Sequence, residues 1–286
     1  MKLLICPQKR PGLGHLAQKV PLAQIPILGQ TLVEYWLAHL AGNKCKEVTF
    51  LANDRPDTLR ALLDDGARWG MTLEVITESR ELTPAEALIK YDKLVGSDQS
   101  SIAVVDHLPN DPPRPLFDTA ESFFAGIRAW MPFSRMPDRI GVRQVSSGIW
   151  AGLRARVSSS ARITPPCWLG KSVFIGPGAQ IGPGAIIEDG SLIEPGTEIV
   201  ESYVGSDTLV GEGTIIRDSL AWGNTLINWK TGSVAEVPDA FILCALRRPQ
   251  AERGRSWIER LTEMCAPDNE EDLFIKDLLI KKESSS

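Results

Sequence analysis

Residues 175–187 read Ile-Gly-Pro-Gly-Ala-Gln-Ile-Gly-Pro-Gly-Ala-Ile-Ile, a six-residue unit repeated almost unchanged. Taking every sixth position outward from Ile181 gives Val157, Ile163, Leu169, Ile175, Ile187, Ile193 and Ile199. After a five-residue step the series resumes as Val204, Val210, Ile216 and Trp222. Four positions after each of these the side chain is usually small: Ala161, Cys167, Val173, Ala179, Ala185, Ser191, Thr197, Thr208 and Thr214. One large and one small inward position per hexad suits a narrow prism of short stacked strands, with Gly and Pro at its corners. An ordinary β-sandwich would show period two with irregular turns instead.

The pattern resembles the left-handed parallel β-helix of hexapeptide-repeat proteins, and about twelve hexads at three per coil predict roughly four coils. A single coil cannot bury its own face, so the repeat must stack and its ends need caps. Many hexapeptide proteins are acyltransferases that use a histidine as general base. Here His15, His39 and His107 all lie outside the repeat, which leaves the β-helix without an imidazole for that chemistry. Acyl transfer is therefore the less favoured alternative, and scaffold or oligomer surface the expected role.

Before the repeat, apolar runs alternate with amphipathic ones. Strands are expected at 2–6, 46–52, 72–78 and 101–106, and helices at 30–41, 55–69 and 84–95. Alternation of this kind predicts a mostly parallel sheet with helices on both faces, whose ligand edge lies beyond the carboxyl ends of the strands. The first strand runs into a loop rich in Pro, Gly and Lys at residues 7–14. Gly12, Gly14 and Ala17 fit G-x-G-x-x-A, but Pro21 and Pro26 intervene before the helix, which argues against a dinucleotide fold.

The first half resembles the sugar-phosphate nucleotidyltransferases, which make NDP-sugars from an NTP and a sugar 1-phosphate. The segment 26–40, PILGQTLVEYWLAHL, is similar to the family's P-V-x-G-x-P-L-I-x-Y-x-L-x-x-L. Residues 64–78, DDGARWGMTLEVITE, resemble its G-D-G-S-x-W-G strand, and 82–106 follow its L-G-T-A-G-A-L helix and the strand ending in Gly-Asp. Several such enzymes carry a C-terminal left-handed β-helix, so the resemblance extends to both domains and their order. It implies three parts: a shortened nucleotidyltransferase-like domain at 1–133, a left-handed β-helix at 134–246, and an amphipathic helical tail at 247–286.

The resemblance also exposes losses. Pro7, Gln8 and Arg10 stand at the three glycines of the family's phosphate loop, Gly12 stands at its arginine, and Leu22 at its lysine. Proline lacks the N–H an anion would use, and side chains at the other two sites bar close backbone approach. Lys9, Arg10 and Lys19 are the remaining candidates for phosphate binding. Thr83 and Glu86 replace two glycines near the family's nucleobase. Asp106 and Asp118 fall on the family's metal-binding aspartates and are the candidate ligands for Mg²⁺, the one cofactor an active enzyme would need. In the plainer reading, Asp106 ends a strand and Asp118 caps the following helix. Only eleven residues separate the two aspartates, where the family places its sugar-binding segment.

The expected function is thus a nucleotidyltransferase-like protein without transferase activity, acting as an assembly or regulatory partner in NDP-sugar or surface-polysaccharide metabolism. A divergent active Mg²⁺-dependent pyrophosphorylase is the alternative. Partners implied are a second copy through the β-helix and an active nucleotidyltransferase or glycan-pathway protein. A homodimer is expected because Phe174, Ile186, Leu192 and Tyr203 fall outside the inward series.

Composition narrows the field further. A net charge of −5 with dispersed Lys and Arg gives no basic field for nucleic acid. No apolar run is long enough to span a bilayer, and the start of the chain lacks a signal-like segment, so a cytoplasmic location is expected. Cys6, Cys45, Cys167, Cys244 and Cys265 show no metal or disulfide spacing and read as buried thiols.

Overall fold

The computed structural model describes residues 1–64, 66–95, 101–109, 116–132 and 141–246. It divides into two compact units, Met1–Gly126 and Ile127–Ser286. The expected helical tail at 247–286 lies outside the described residues.

The first unit opens with β1 (Lys2–Ile5), short α1 (Gly14–Ala17), and a small hairpin of β2 (Pro26–Ile27) and β3 (Gln30–Thr31). Then come α2 (Leu32–Gly42), β4 (Glu47–Ala52), α3 (Pro56–Leu63), β5 (Thr72–Thr77), α4 (Pro84–Lys90), α5 (Asp92–Val95), β6 (Ile102–Val104) and α6 (Ala120–Trp130). The sheet has the order β5-β4-β1-β6 and every pair in it is parallel, as the alternation predicted. β1 sits centrally, with Leu3 opposite Thr49 on one side and Ile102 on the other. Leu3 and Ile5 pack with Leu51 and with Ala87 of α4, while Leu4 and Phe50, at alternate positions, are buried too. Both faces of the sheet are therefore covered, which explains an uninterrupted apolar run in place of a period-two strand.

The helices start where the sequence provides caps. Thr31 and Glu34 form a reciprocal capping box at α2, and Thr83 and Glu86 form another at α4, with Pro84 in the first turn where its missing N–H costs nothing. The helix expected over 55–69 is shorter. α3 stops at Leu63 because Asp64 takes φ of 52°, and a separate 3-10 turn covers Ala67–Trp69. The helix expected over 84–95 breaks at Tyr91 into α4 and α5.

The second unit is a parallel β-helix with three flat faces. Its first full coil is formed by Ile149–Gly152, Arg156–Val157 and Arg162–Ile163, and the fourth by Tyr203–Val204, Thr208–Val210 and Ile215–Arg217. The vertical register stacks Leu169 on Ile187, Val204 and Ala221, Ile175 on Ile193 and Val210, and Ile181 on Ile199 and Ile216. These side chains form one continuous core, each fully buried isoleucine contributing about 1.5–3 kcal/mol.

One inward position is corrected. The partner of Val204 is Ala221, so a second five-residue step follows Ile216 and the inward place goes to Ala221, not Trp222. The Trp222 indole instead donates to Ser206 O at 3.1 Å. The small polar residues in the prism are buried but satisfied. Ser191 Oγ donates to Gly205 O at 2.9 Å and Thr197 Oγ1 to Gly211 O at 3.1 Å, each bonding to the coil above.

The three faces end differently. The first continues past Ser219–Trp222 into the antiparallel strands Thr225–Asn228 and Val234–Glu236, and the second is closed by antiparallel Leu243–Ala245. The third ends at Ile215–Arg217, with a strand on one side only among the described residues. Of the residues that motivated a dimer, Ile186 and Tyr203 are fully buried within one chain and Leu192 is 8% exposed, so they do not argue for a partner. Phe174, the fourth of them, stays half-buried.

Candidate functional site

With all four strands parallel, their carboxyl ends share one edge, and the loops after β1, β4, β5 and β6 gather there. The loop after β1 holds Cys6 to Arg10, with Pro7 buried and Gln8 and Lys9 exposed. Its centre is a carboxylate that the sequence reading did not single out, Glu81. Arg10 grips it with two bonds, Nη2 to Oε1 at 2.7 Å and Nη1 to Oε2 at 3.0 Å. The backbone N–H of Gln8 donates to Glu81 Oε2 at 2.9 Å, and Asn53 Nδ2, at the end of β4, donates to Gln8 Oε1 at 2.9 Å. A backbone N–H and a guanidinium converging on two oxygens form an anion cradle, and this one is filled by the chain's own carboxylate.

Asp106 completes the cluster. Its Oδ2 lies 3.5 Å from Arg10 Nη2 and its Oδ1 2.8 Å from His107 Nδ1. His107 is in turn held by Trp36, whose indole donates to the His107 carbonyl at 2.9 Å and whose ring meets the imidazole edge-on at 5.1 Å. The bond to Glu81 strengthens proton retention by the Arg10 guanidinium, burial opposes it, and the charges of Glu81 and Asp106 add to the increase. Beneath the loop, burial and then the Glu81 charge push the Cys6 thiol up to about 12, which leaves it un-ionised and unreactive.

The segment returning toward α6 closes the loop from outside. Gly12 N–H donates to Phe117 O at 3.1 Å, and a Cβ on Gly12 would collide with the Thr119 backbone and stand 2.6 Å from the Asp118 carbonyl carbon. The position that carries the family's arginine thus has the backbone of residues 117–119 pressed against it. With only eleven residues between Asp106 and Asp118, the chain returns directly over the loop.

The other predicted residues are dispersed. Lys9 is exposed and Lys19, just past α1 in the chain, is half-buried, while Arg10 is bonded to Glu81. Asp118 is exposed, and the expectation that it caps α6 is corrected: Thr119 Oγ1 accepts from Ser122 N–H at 2.9 Å, and Ser122 Oγ accepts from Thr119 N–H at 3.0 Å. Glu86, at the family's nucleobase position, is turned to the helix start. It accepts from Thr83 N–H at 2.9 Å and from Arg80 at 2.6 Å, and Arg80 followed by Thr83 draws its carboxyl down to about 2.

A divalent cation fits this arrangement poorly. Both oxygens of Asp106 already face cationic or N–H groups, Asp118 offers one exposed carboxylate, and no group of three or more His, Cys, Asp or Glu suited to a metal occurs among the described residues. A guanidinium beside the ligand would repel the ion. Glu81 carries no motif of its own, and the sequence marks His107 only as a histidine outside the repeat. The signal was Arg10 itself, since an arginine in a loop with no ligand to hold requires a carboxylate from a neighbouring strand end.

Comparison with known proteins agrees with this organisation. Residues 13–130 match the Nucleotidyl transferase family model, and residues 166–201 match Bacterial transferase hexapeptide (six repeats). No curated protein matches the chain significantly.

Proposed function

We propose that this chain, a nucleotidyltransferase-like protein with hexapeptide repeats, does not transfer nucleotides and serves as an assembly or regulatory partner in NDP-sugar or surface-polysaccharide metabolism. The observation that carries the reading is the occupied cradle: Glu81 sits on the Gln8 N–H and the Arg10 guanidinium, where a triphosphate would need those donors free. A second carboxylate, Asp106, adds negative charge where an anionic substrate would approach. The backbone of 117–119 lies against Gly12, so the loop has no room to open without displacing that segment.

What remains is a folded platform. The β-helix supplies flat faces suited to self-association, and a homo-oligomer through it belongs to this reading, as do a cytoplasmic location and an active glycan-pathway partner. No helix among the described residues is long and apolar enough to cross a membrane.

The test is pyrophosphate release from ATP, UTP, dTTP and GTP with Mg²⁺ and a panel of sugar 1-phosphates. No release above the protein-free rate is expected. Turnover that disappears in Asp106→Asn would establish the divergent enzyme instead.

A further inference from the structure

We infer that the closing end of the β-helix, at Ile215, Phe241 and Ile242, is the docking place for the chain's own C-terminal segment, through Trp257, Leu261 and Met264. Four of the five large apolar side chains that the second unit exposes among the described residues stand at this end. They are Ile215 at 63%, Val234 at 39%, Phe241 at 87% and Ile242 at 45%. Phe241 and Ile242 lie beside the corner that leads to Ile215. Gly211 N–H donates to Ile242 O at 2.9 Å, and Gly211 is packed against the Phe241 carbonyl too closely to admit a Cβ. Among the described residues the adjoining strand Ile215–Arg217 is the last of its sheet, whereas the other two faces are extended by antiparallel strands. Exposed apolar side chains beside the last strand of a sheet form a surface that folded proteins cover.

The occupant follows from where the chain goes next. Leu246 N–H donates to Asp207 O at 2.7 Å, so the described chain ends on this last coil, directly after its capping strand, and residues 247–286 follow it in the sequence. In that segment Trp257, Leu261 and Met264 recur at positions i, i+4 and i+7, one apolar stripe at helical spacing. A segment tethered one coil-width from an apolar patch meets it at an effective concentration that a free partner does not reach.

Hydrogen exchange on the full chain tests this. The amides of Ile215–Arg217 and Phe241–Ile242 are expected to exchange about tenfold more slowly in the parent chain than in Leu261→Asp, equally at protein concentrations about a hundredfold apart. Phe241→Asp, a change at an exposed side chain that leaves the core intact, is expected to release the same amides. Equal exchange in the parent and both variants overturns the inference. Protection that rises with concentration overturns it in favour of a second copy.

Discussion

Arg10 and Glu81, seventy-one residues apart in sequence, meet through two parallel bonds of 2.7 and 3.0 Å at the ligand edge of the sheet. Replacing Arg10 by Met leaves Glu81 with one backbone donor and Asp106 with His107. Because all these groups keep some contact with water, the expected loss is modest, about 1 kcal/mol in urea unfolding. A loss above about 4 kcal/mol would mean the cluster is more deeply desolvated than its exposure indicates.

Glu81→Ala removes the internal anion while leaving the Gln8 N–H and the guanidinium in place. The vacated donors are expected to bind inorganic phosphate weakly, with Kd on the order of 1 mM, where the parent chain binds none. Phosphate titration followed by thermal shift reads the difference. Equal behaviour of both proteins would show that the loop is not a cradle.

Gly12→Ala is expected to destabilise the first unit by about 1–3 kcal/mol, since a methyl group there meets the Thr119 backbone and not a movable side chain. Gly14→Ala is the control, having open space around its Cβ position. The pair separates the effect of close approach from that of losing a glycine.

The α4 start carries a pH dependence. Glu86 is drawn from 4.5 to about 2 by Arg80 and Thr83. Glu78 lies below its usual range despite burial, which opposes ionisation, because Lys90 and Tyr91 bond to it. A carboxyl with a depressed folded value contributes stability that is fully present above its unfolded value and is lost as pH falls through the folded one. Stability is therefore expected to fall between about pH 4.5 and pH 2, with a smaller fall in Glu86→Gln. A flat profile in the parent would contradict the pairing.

Ile181→Ala is expected to cost about 2–5 kcal/mol, because its neighbours Ile163 and Ile199 are fixed by the coils above and below and cannot close the cavity. Urea unfolding of the full chain measures it.

The β-helix was legible because its signal is periodic. An inward position recurs every six residues whatever surrounds it, so Val157 through Ile216 could be placed from the sequence. Trp222 failed only because a second five-residue step is invisible until Val204 is seen to pair with Ala221. The parallel sheet was equally plain in its alternation of apolar and amphipathic segments, while helix ends at Leu63 and Lys90 depended on single backbone angles at Asp64 and Tyr91. The site was harder. Arg10 and Asp106 were found through their alignment with family motifs, but Glu81 is a long-range partner that no local pattern marks. Asp118 shared a motif position with a ligand and proved to be an exposed residue outside the α6 cap.

Glu81 occupies the donors of the β1 loop from within, and calorimetric titration of the full chain with ATP, UTP, dTTP and GTP, with and without Mg²⁺, tests most directly whether a nucleotide is thereby excluded. The account predicts no saturable heat with any of the four under either condition. Saturable binding that requires Mg²⁺ and is lost in Asp106→Asn would contradict it.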